Sequence, residues 1–190
     1  MKKNSILKSV LILAVATGTA AFTTTMEKRI DINESTIQWK GKKVLGSHEG
    51  TINLKDGYLE MDGDQLTGGE FTVDMTTILV TDLSGESKEK LEGHLKSDDF
   101  FGVDNHPTAS LKITDATKNG NTYSVTGDLT IKGTTKPVTF DLIMGESAAT
   151  ATVTINRTHY GVRYGSGSFF DNLGDNTISD NFTLDVNLKF

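Results

Sequence analysis

The sequence of 190 residues has no cysteine, only two prolines and a single tryptophan. Without thiols there is no disulfide, no thiolate zinc site, no iron–sulfur cluster and no cysteine nucleophile. Positive charge is also in short supply, with 19 Lys+Arg against 25 Asp+Glu and a formal net charge of −6. Nothing basic clusters to neutralise phosphates, so nucleic acid is excluded as a partner. G-x-S-x-G, Walker A, H-E-x-x-H and paired C-x-x-C are all missing, and no residue pattern points to a cofactor. What is abundant is threonine, with 27 copies beside 19 glycines, and a β-branched excess of this kind favours β-structure. The length suits one domain.

The N-terminus reads as an address. Lys2, Lys3 and Lys8 precede the apolar run Val10–Ala16, and small residues follow at Thr17–Ala21. That order is the pattern of a secretory signal, with cleavage expected after Ala20 or Ala21. The run is far shorter than the roughly 20 residues of a membrane-spanning helix, which leaves an uncleaved anchor as the alternative. No cysteine is present for a bacterial lipid anchor. Residues 1–21 are read as the signal, 22–30 as a short lead and 31–190 as the domain. Without the signal, 16 basic residues face 25 acidic ones, a net charge of −9. The expected product is a soluble acidic protein of the periplasm, or one secreted beyond it. Its charge offers no general attraction to anionic membranes, so delivery of any cargo would need a docking partner or a close encounter.

From Ser35 onward the hydrophobic period is two. Ile37 and Trp39 alternate with polar residues, as do Ile52 and Leu54, then Phe71, Val73 and Met75, and Ala109, Leu111 and Ile113. The period continues through Tyr123 and Val125, Leu129 and Ile131, Val138 to Met144, Ala151 to Ile155 and Phe182 to Phe190. Such alternation marks antiparallel strands with one apolar face. Asn119-Gly120 signals a hairpin, Lys55-Asp56-Gly57 closes an earlier run, and Gly133–Pro137 separates two more, with Pro137 at a strand start. One helix is expected over Ser87–Ser97, with Leu91 and Leu95 four apart and Ser87 as cap. About eight strands suffice for a closed barrel, although the pattern fits a packed β-sandwich equally well.

The residues that break the alternation carry the chemistry. Arg157 and His159 continue the parity of Ala151, Val153 and Ile155, and His48 shares parity with Ile52 and Leu54. An inward guanidinium needs either an internal acid, such as Asp74 or Asp180, or an anionic ligand. His94, Asp98, Asp99 and His106 have the donor chemistry of a zinc site, but their loose spacing reads as a helix end and a solvated loop. Gly165-Ser166-Gly167-Ser168 lacks the lysine and spacing of a phosphate loop and reads as a rim loop.

Several segments resemble the YceI-like, polyisoprenoid-binding family. They are Ser35–Trp39, Gly46–Gly50, Leu91–Phe101, His106–Ala109 and above all Gly127–Val138. Arg157–Val162 is similar to the family's R-x-D-F-G-(V/I) stretch, with His159 and Tyr160 standing where many relatives carry Asp and Phe; Ile178–Asp180 resembles its closing strand. The resemblance implies an all-β protein, an extended eight-stranded antiparallel lipocalin-like barrel with a short helix near the mouth. It also implies an internal tunnel for a long-chain isoprenoid or other amphiphilic lipid. The expected tail lining is Trp39, Phe71, Val125, Leu129, Phe140, Val153, Leu184 and Leu188, with Arg157, His159 and His48 near the head group.

The leading expectation is therefore a non-catalytic carrier, without metal or cofactor, not stably inserted in a membrane and able to form a homodimer. Two alternatives stay open: an enzyme acting on a sequestered lipid through His48 or His159, and a structural or stress-related barrel filled by its own side chains.

Overall fold

The computed structural model describes residues 25–190; the expected signal segment lies outside the described residues. Nine strands form one antiparallel sheet. They are β1 (Met26–Arg29), β2 (Thr36–Lys43), β3 (Ser47–Asp62), β4 (Gln65–Val80), β5 (Thr108–Asn119), β6 (Thr122–Ile131), β7 (Thr134–Met144), β8 (Ala148–Asn156) and β9 (Ile178–Lys189). Neighbours in sequence pair from β2 through β9, and β9 returns to β2, with Thr36 opposite Asn187 and Gly41 opposite Phe182. The result is a closed eight-stranded barrel. β1, within the expected lead, adds to the far half of β3.

The strands form where the period of two places apolar side chains on one face. In β6, Tyr123, Val125, Leu129 and Ile131 are all buried. Gly120, at φ +64°, takes the turn between β5 and β6, and Lys132 and Gly133, both at positive φ, turn β6 into β7. Mirror-image turns of this kind match the strand twist. Lys55–Gly57 does not close a strand as expected. β3 runs through it as a bulge, with the register slipping between Leu54 and Asp56. Gly57 is needed there because a Cβ would lie 2.8 Å from Phe71 Cδ1. Pro137 sits inside β7 and not at its start, opposite Asp128. It is tolerated because β8 pairs only with Leu142–Met144, leaving that edge of β7 without a ladder.

The helix α1 (Gly85–Lys96) begins two residues before the expected Ser87, and its cap position is Ser84, whose side chain makes no capping bond. Its tie to the barrel lies elsewhere, in Glu92 Oε1, which accepts the Val80 amide at 2.8 Å. Leu95 is the buried residue of the helix. The following segment, 97–107, folds over the same end of the barrel. Lys132 Nζ donates to the carbonyls of Asp98 (2.6 Å) and Phe100 (2.9 Å), fixing that cover to the β6–β7 turn.

The two ends differ. At the hairpin end, Leu59, Leu66, Tyr123, Val125 and Ala149 are all at most 2% exposed and fill the barrel. The Tyr123 hydroxyl, inside this plug, donates to the Asp64 carbonyl. At the helix end, α1, the 97–107 cover and the long β8–β9 connection surround a space that is not filled.

Candidate functional site: an apolar cavity beneath the helix end

A cavity of about 200 Å³ runs inside the barrel from Leu142 and Leu188 to Leu95, Phe100 and Arg157. Among the described residues thirty-two line it, and only Ser110, Arg157, Ser179 and Asn181, with the indole N–H of Trp39, bring polar side-chain atoms. The lining comes from the strands' inward parity: Ile37 and Trp39 of β2, Phe71 and Val73 of β4, Val153 and Ile155 of β8, and Phe182 to Leu188 of β9. Such a surface can hold hydrocarbon but offers little to an acid–base reaction.

Of the eight side chains expected along a lipid tail, Trp39, Phe71, Leu129, Phe140, Val153, Leu184 and Leu188 all border this space. Val125 does not. It is fully buried in the plug at the hairpin end. Its parity is inward, but its level in the barrel lies beyond the cavity floor. Sequence spacing shows which face a residue takes and does not show where packing from other strands ends the void.

The three expected head-group residues are not brought together. Arg157 borders the cavity and is 2% exposed, but its donors are engaged. Nε donates to Ser179 O at 2.9 Å, Nη1 to Val162 O and Tyr164 O at 2.9 and 2.8 Å, and Nη2 to Ile178 O at 3.0 Å. Four of the five guanidinium N–H groups therefore go to backbone carbonyls. The fifth faces Asp180, whose Oδ1 is 3.8 Å from Nη2. Burial lowers the Arg157 pKa while Asp180 works the other way. The hydroxyls of Ser166 and Ser168, with help from the guanidinium, hold the Asp180 carboxyl below the usual range. Asp74, the other acid considered, is occupied on β4 by the hydroxyl and amide of Thr76, at 2.6 and 3.0 Å.

His159 lies on a short 3-10 turn, Arg157–Tyr160, and is exposed. That turn diverts the chain from the parity of β8 and packs against β7 where β7 and β8 separate. His48 is the second residue of β3, at the rim, with Nδ1 2.9 Å from Asp82 Oδ2. Asp82 is partly desolvated, which opposes its charge, but the His48 hydrogen bond and the Glu49 amide outweigh this and lower its pKa. Neither histidine borders the cavity. His94 packs its ring against Phe100 and Tyr164, at centroid distances of 5.6 and 4.4 Å.

The sequence reading missed the mouth. Between Gly41 and Lys43 of β2 the register with β9 slips, because Lys42 stands opposite three residues, Ser179–Asn181. Gly41 borders the cavity, and a Cβ added there would meet no atom within 4 Å. Asn181, also on the lining, is exposed. At this bulge the cavity lining thus reaches the surface, beside the β2–β3 turn and the β8–β9 connection. The one sequence signal was the loss of alternation from Ile178 to Asn181.

Comparison with known proteins agrees with this architecture. A UPF0312 protein of Staphylococcus epidermidis is 34% identical over 142 residues, covering 68% of this chain and 78% of the relative. A Staphylococcus aureus UPF0312 protein is 36% identical over the same coverage. Among solved structures, Burkholderia cenocepacia BcnA superposes with a TM-score of 0.67 at 22% identity, covering 84% of this chain and 98% of BcnA. A polyisoprenoid-binding domain from Saccharophagus degradans, implicated in plant cell wall breakdown, gives a TM-score of 0.55 at 11% identity, with 87% and 97% coverage. The YceI-like domain family matches residues 29–190, nearly the whole of the described barrel, and the chain belongs to that family.

Proposed function

We propose that this protein is a non-catalytic binder of long-chain amphiphiles, holding the tail of a polyisoprenoid or similar lipid in the barrel. The observation that carries this is the cavity itself, about 200 Å³ with 28 of its 32 lining residues apolar or glycine. A retained void of that size costs about 5 kcal/mol at roughly 24 cal/mol per Å³. A barrel whose role was structural would gain stability by filling it. Hydrocarbon supplies what the void lacks: at about 0.8 kcal/mol per CH₂, three isoprene units contribute roughly 12 kcal/mol before ordering costs.

The related domain named as polyisoprenoid-binding supports the same class of ligand. The distance of both candidate bases, His48 and His159, from the lining supports binding without turnover. The head group then rests at the bulge, near Asn181 and Ser179, with Arg157 shaping the wall. The basic, apolar and small-residue start of the sequence supports a periplasmic site of action.

The test is to recover the exported protein without detergent and record its native mass spectrum, then identify whatever is released on denaturation. A discrete prenyl or acyl amphiphile is the expected result. A protein that neither carries such a mass nor takes up a prenol when exposed to it would overturn the proposal.

A further inference from the structure

Nine large hydrophobic side chains are exposed among the described residues, and five of them gather at one rim of the helix end. Val44 (59% exposed) and Leu45 (71%) form the tip of the β2–β3 turn. Tyr164, Phe169 and Phe170, each about half exposed, stand on the β8–β9 connection. The two tips are joined: the Val44 amide donates to Thr177 O at 3.2 Å, and Lys43 pairs with Ile178. The aromatic tip is well braced, since the amides of Phe169 and Phe170 both donate to the carbonyl of Ser166, itself fully buried.

Charge is distributed to match. Residues 40–45 (Lys-Gly-Lys-Lys-Val-Leu) and 161–170 hold Lys40, Lys42, Lys43 and Arg163 and no carboxylate, in a chain that is acidic overall. Lys40 is drawn to Glu49 at 3.6 Å, whereas Lys42, Lys43 and Arg163 enter no ion pair among the described residues. The Arg163 guanidinium lies 4.6 Å from the centroid of the Phe169 ring. Asp171, adjoining Phe170, and Asp175 on the same connection set two carboxylates against Lys42, Lys43 and Arg163. Apolar tips flanked by unpaired cations are the composition of a surface that rests at an anionic lipid headgroup layer. Gly41 and Asn181 border the cavity directly beside these tips, and Asn181 is exposed.

We propose that this rim docks on an anionic lipid bilayer and sets the cavity mouth against the membrane, so that a lipid passes between bilayer and barrel without crossing water. The inference rests on the carrier reading. It departs from what net charge suggests, because a surface senses the charge within about a Debye length of itself, not the total.

The experiment is flotation of the folded protein with phosphatidylcholine vesicles, with and without phosphatidylglycerol, alongside binding of cis-parinaric acid as a soluble probe of the cavity. The wild type is expected to float with the anionic vesicles and to be released by salt. The Leu45→Asp/Phe170→Asp variant should lose roughly tenfold or more of that binding, and Lys42→Glu/Lys43→Glu, which changes exposed side chains alone, should do the same. The Leu45→Asp/Phe170→Asp variant should bind cis-parinaric acid as the wild type does. A wild type that stays unbound, or variants that float equally well, overturns the docking. So does a wild-type dimer split by the Leu45→Asp change with no flotation, since the rim is then a self-association surface. Vesicle binding without uptake of cis-parinaric acid would overturn the carrier reading and leave the docking standing.

Discussion

Arg157 and Asp180 approach to 3.8 Å across the β9 bulge, yet each is held chiefly by other groups. The arginine gives four N–H groups to the carbonyls of Val162, Tyr164, Ile178 and Ser179, and the carboxylate takes the Ser168 hydroxyl at 2.5 Å. The pair therefore ties the β8–β9 connection to the barrel, and the guanidinium acts as a bracket for four carbonyls, in one buried and three partly buried hydrogen bonds.

Arg157→Ala is accordingly expected to act on stability. Removing one partner of a buried charged network costs about 3–5 kcal/mol, read as a lower urea midpoint. Arg157→Lys should recover only part of it, since an ammonium cannot reproduce the planar fork. Displacement of a fluorescent lipid should then show equal loss for a prenyl phosphate and the free prenol. A selective loss for the phosphate would assign the remaining N–H to the ligand's head group.

Acid should weaken the carboxylate's share of this tie. Asp180 titrates below its ordinary value of 3.8. A carboxylate depressed on folding stabilises the native state above its unfolded pKa, and that contribution disappears as pH falls through the folded value. Stability is therefore expected to be flat from neutrality to about pH 5 and to fall below pH 4. Asp180→Asn should flatten the acid limb of a plot of urea midpoint against pH. An unchanged limb in that variant would assign acid sensitivity to Asp74 and Asp82, which are also lowered.

How far these features were legible in the sequence differs by element. The alternation of Phe182 to Leu188 placed β9 and its inward face correctly, because a strand's parity is a local property. Arg157 was legible as an inward charge for the same reason. Asp180, one of the two acids considered for it, does approach the guanidinium; the four carbonyls that take its other N–H groups were not legible, since main-chain carbonyls of a loop and a bulge have no sequence signature. Val125 shows the second limit: the cavity floor depends on Leu59, Leu66 and Tyr123 arriving from three strands. His48 shows a third, because parity holds along β3 but its first residues stand at the rim, where Asp82 intercepts the ring.

Two glycines on neighbouring strands should respond oppositely to the same change. At Gly50 a Cβ would lie 1.8 Å from Leu79 O and 2.6 Å from Trp39 Cζ2, so the indole and β4 must both shift. Gly50→Ala is expected to cost about 3 kcal/mol or more and to change Trp39 emission, the protein's one tryptophan signal. At Gly41 there is nothing within 4 Å, and Gly41→Ala should stay within about 0.5 kcal/mol of wild type. Gly41→Phe, placed on the cavity lining beside the bulge, should slow lipid uptake in stopped-flow fluorescence while leaving the unfolding midpoint in place.

Ala151→Phe separates an empty barrel from a filled one by sign. Ala151 borders the cavity opposite Val186, and a larger side chain there either occupies free space or forces its neighbours apart. In a packed core such an insertion costs about 1–3 kcal/mol. In a void whose cost is about 5 kcal/mol, partial filling recovers on the order of 1–2 kcal/mol, which is several degrees of melting temperature for a domain of this size. The expected outcome is a higher melting temperature together with roughly tenfold weaker binding of a long-chain probe. The two changes must come together, because the volume that stabilises the variant is the volume a ligand tail would have taken. A lower melting temperature would mean that side chains already fill the barrel in solution, and it would remove the observation on which lipid binding rests.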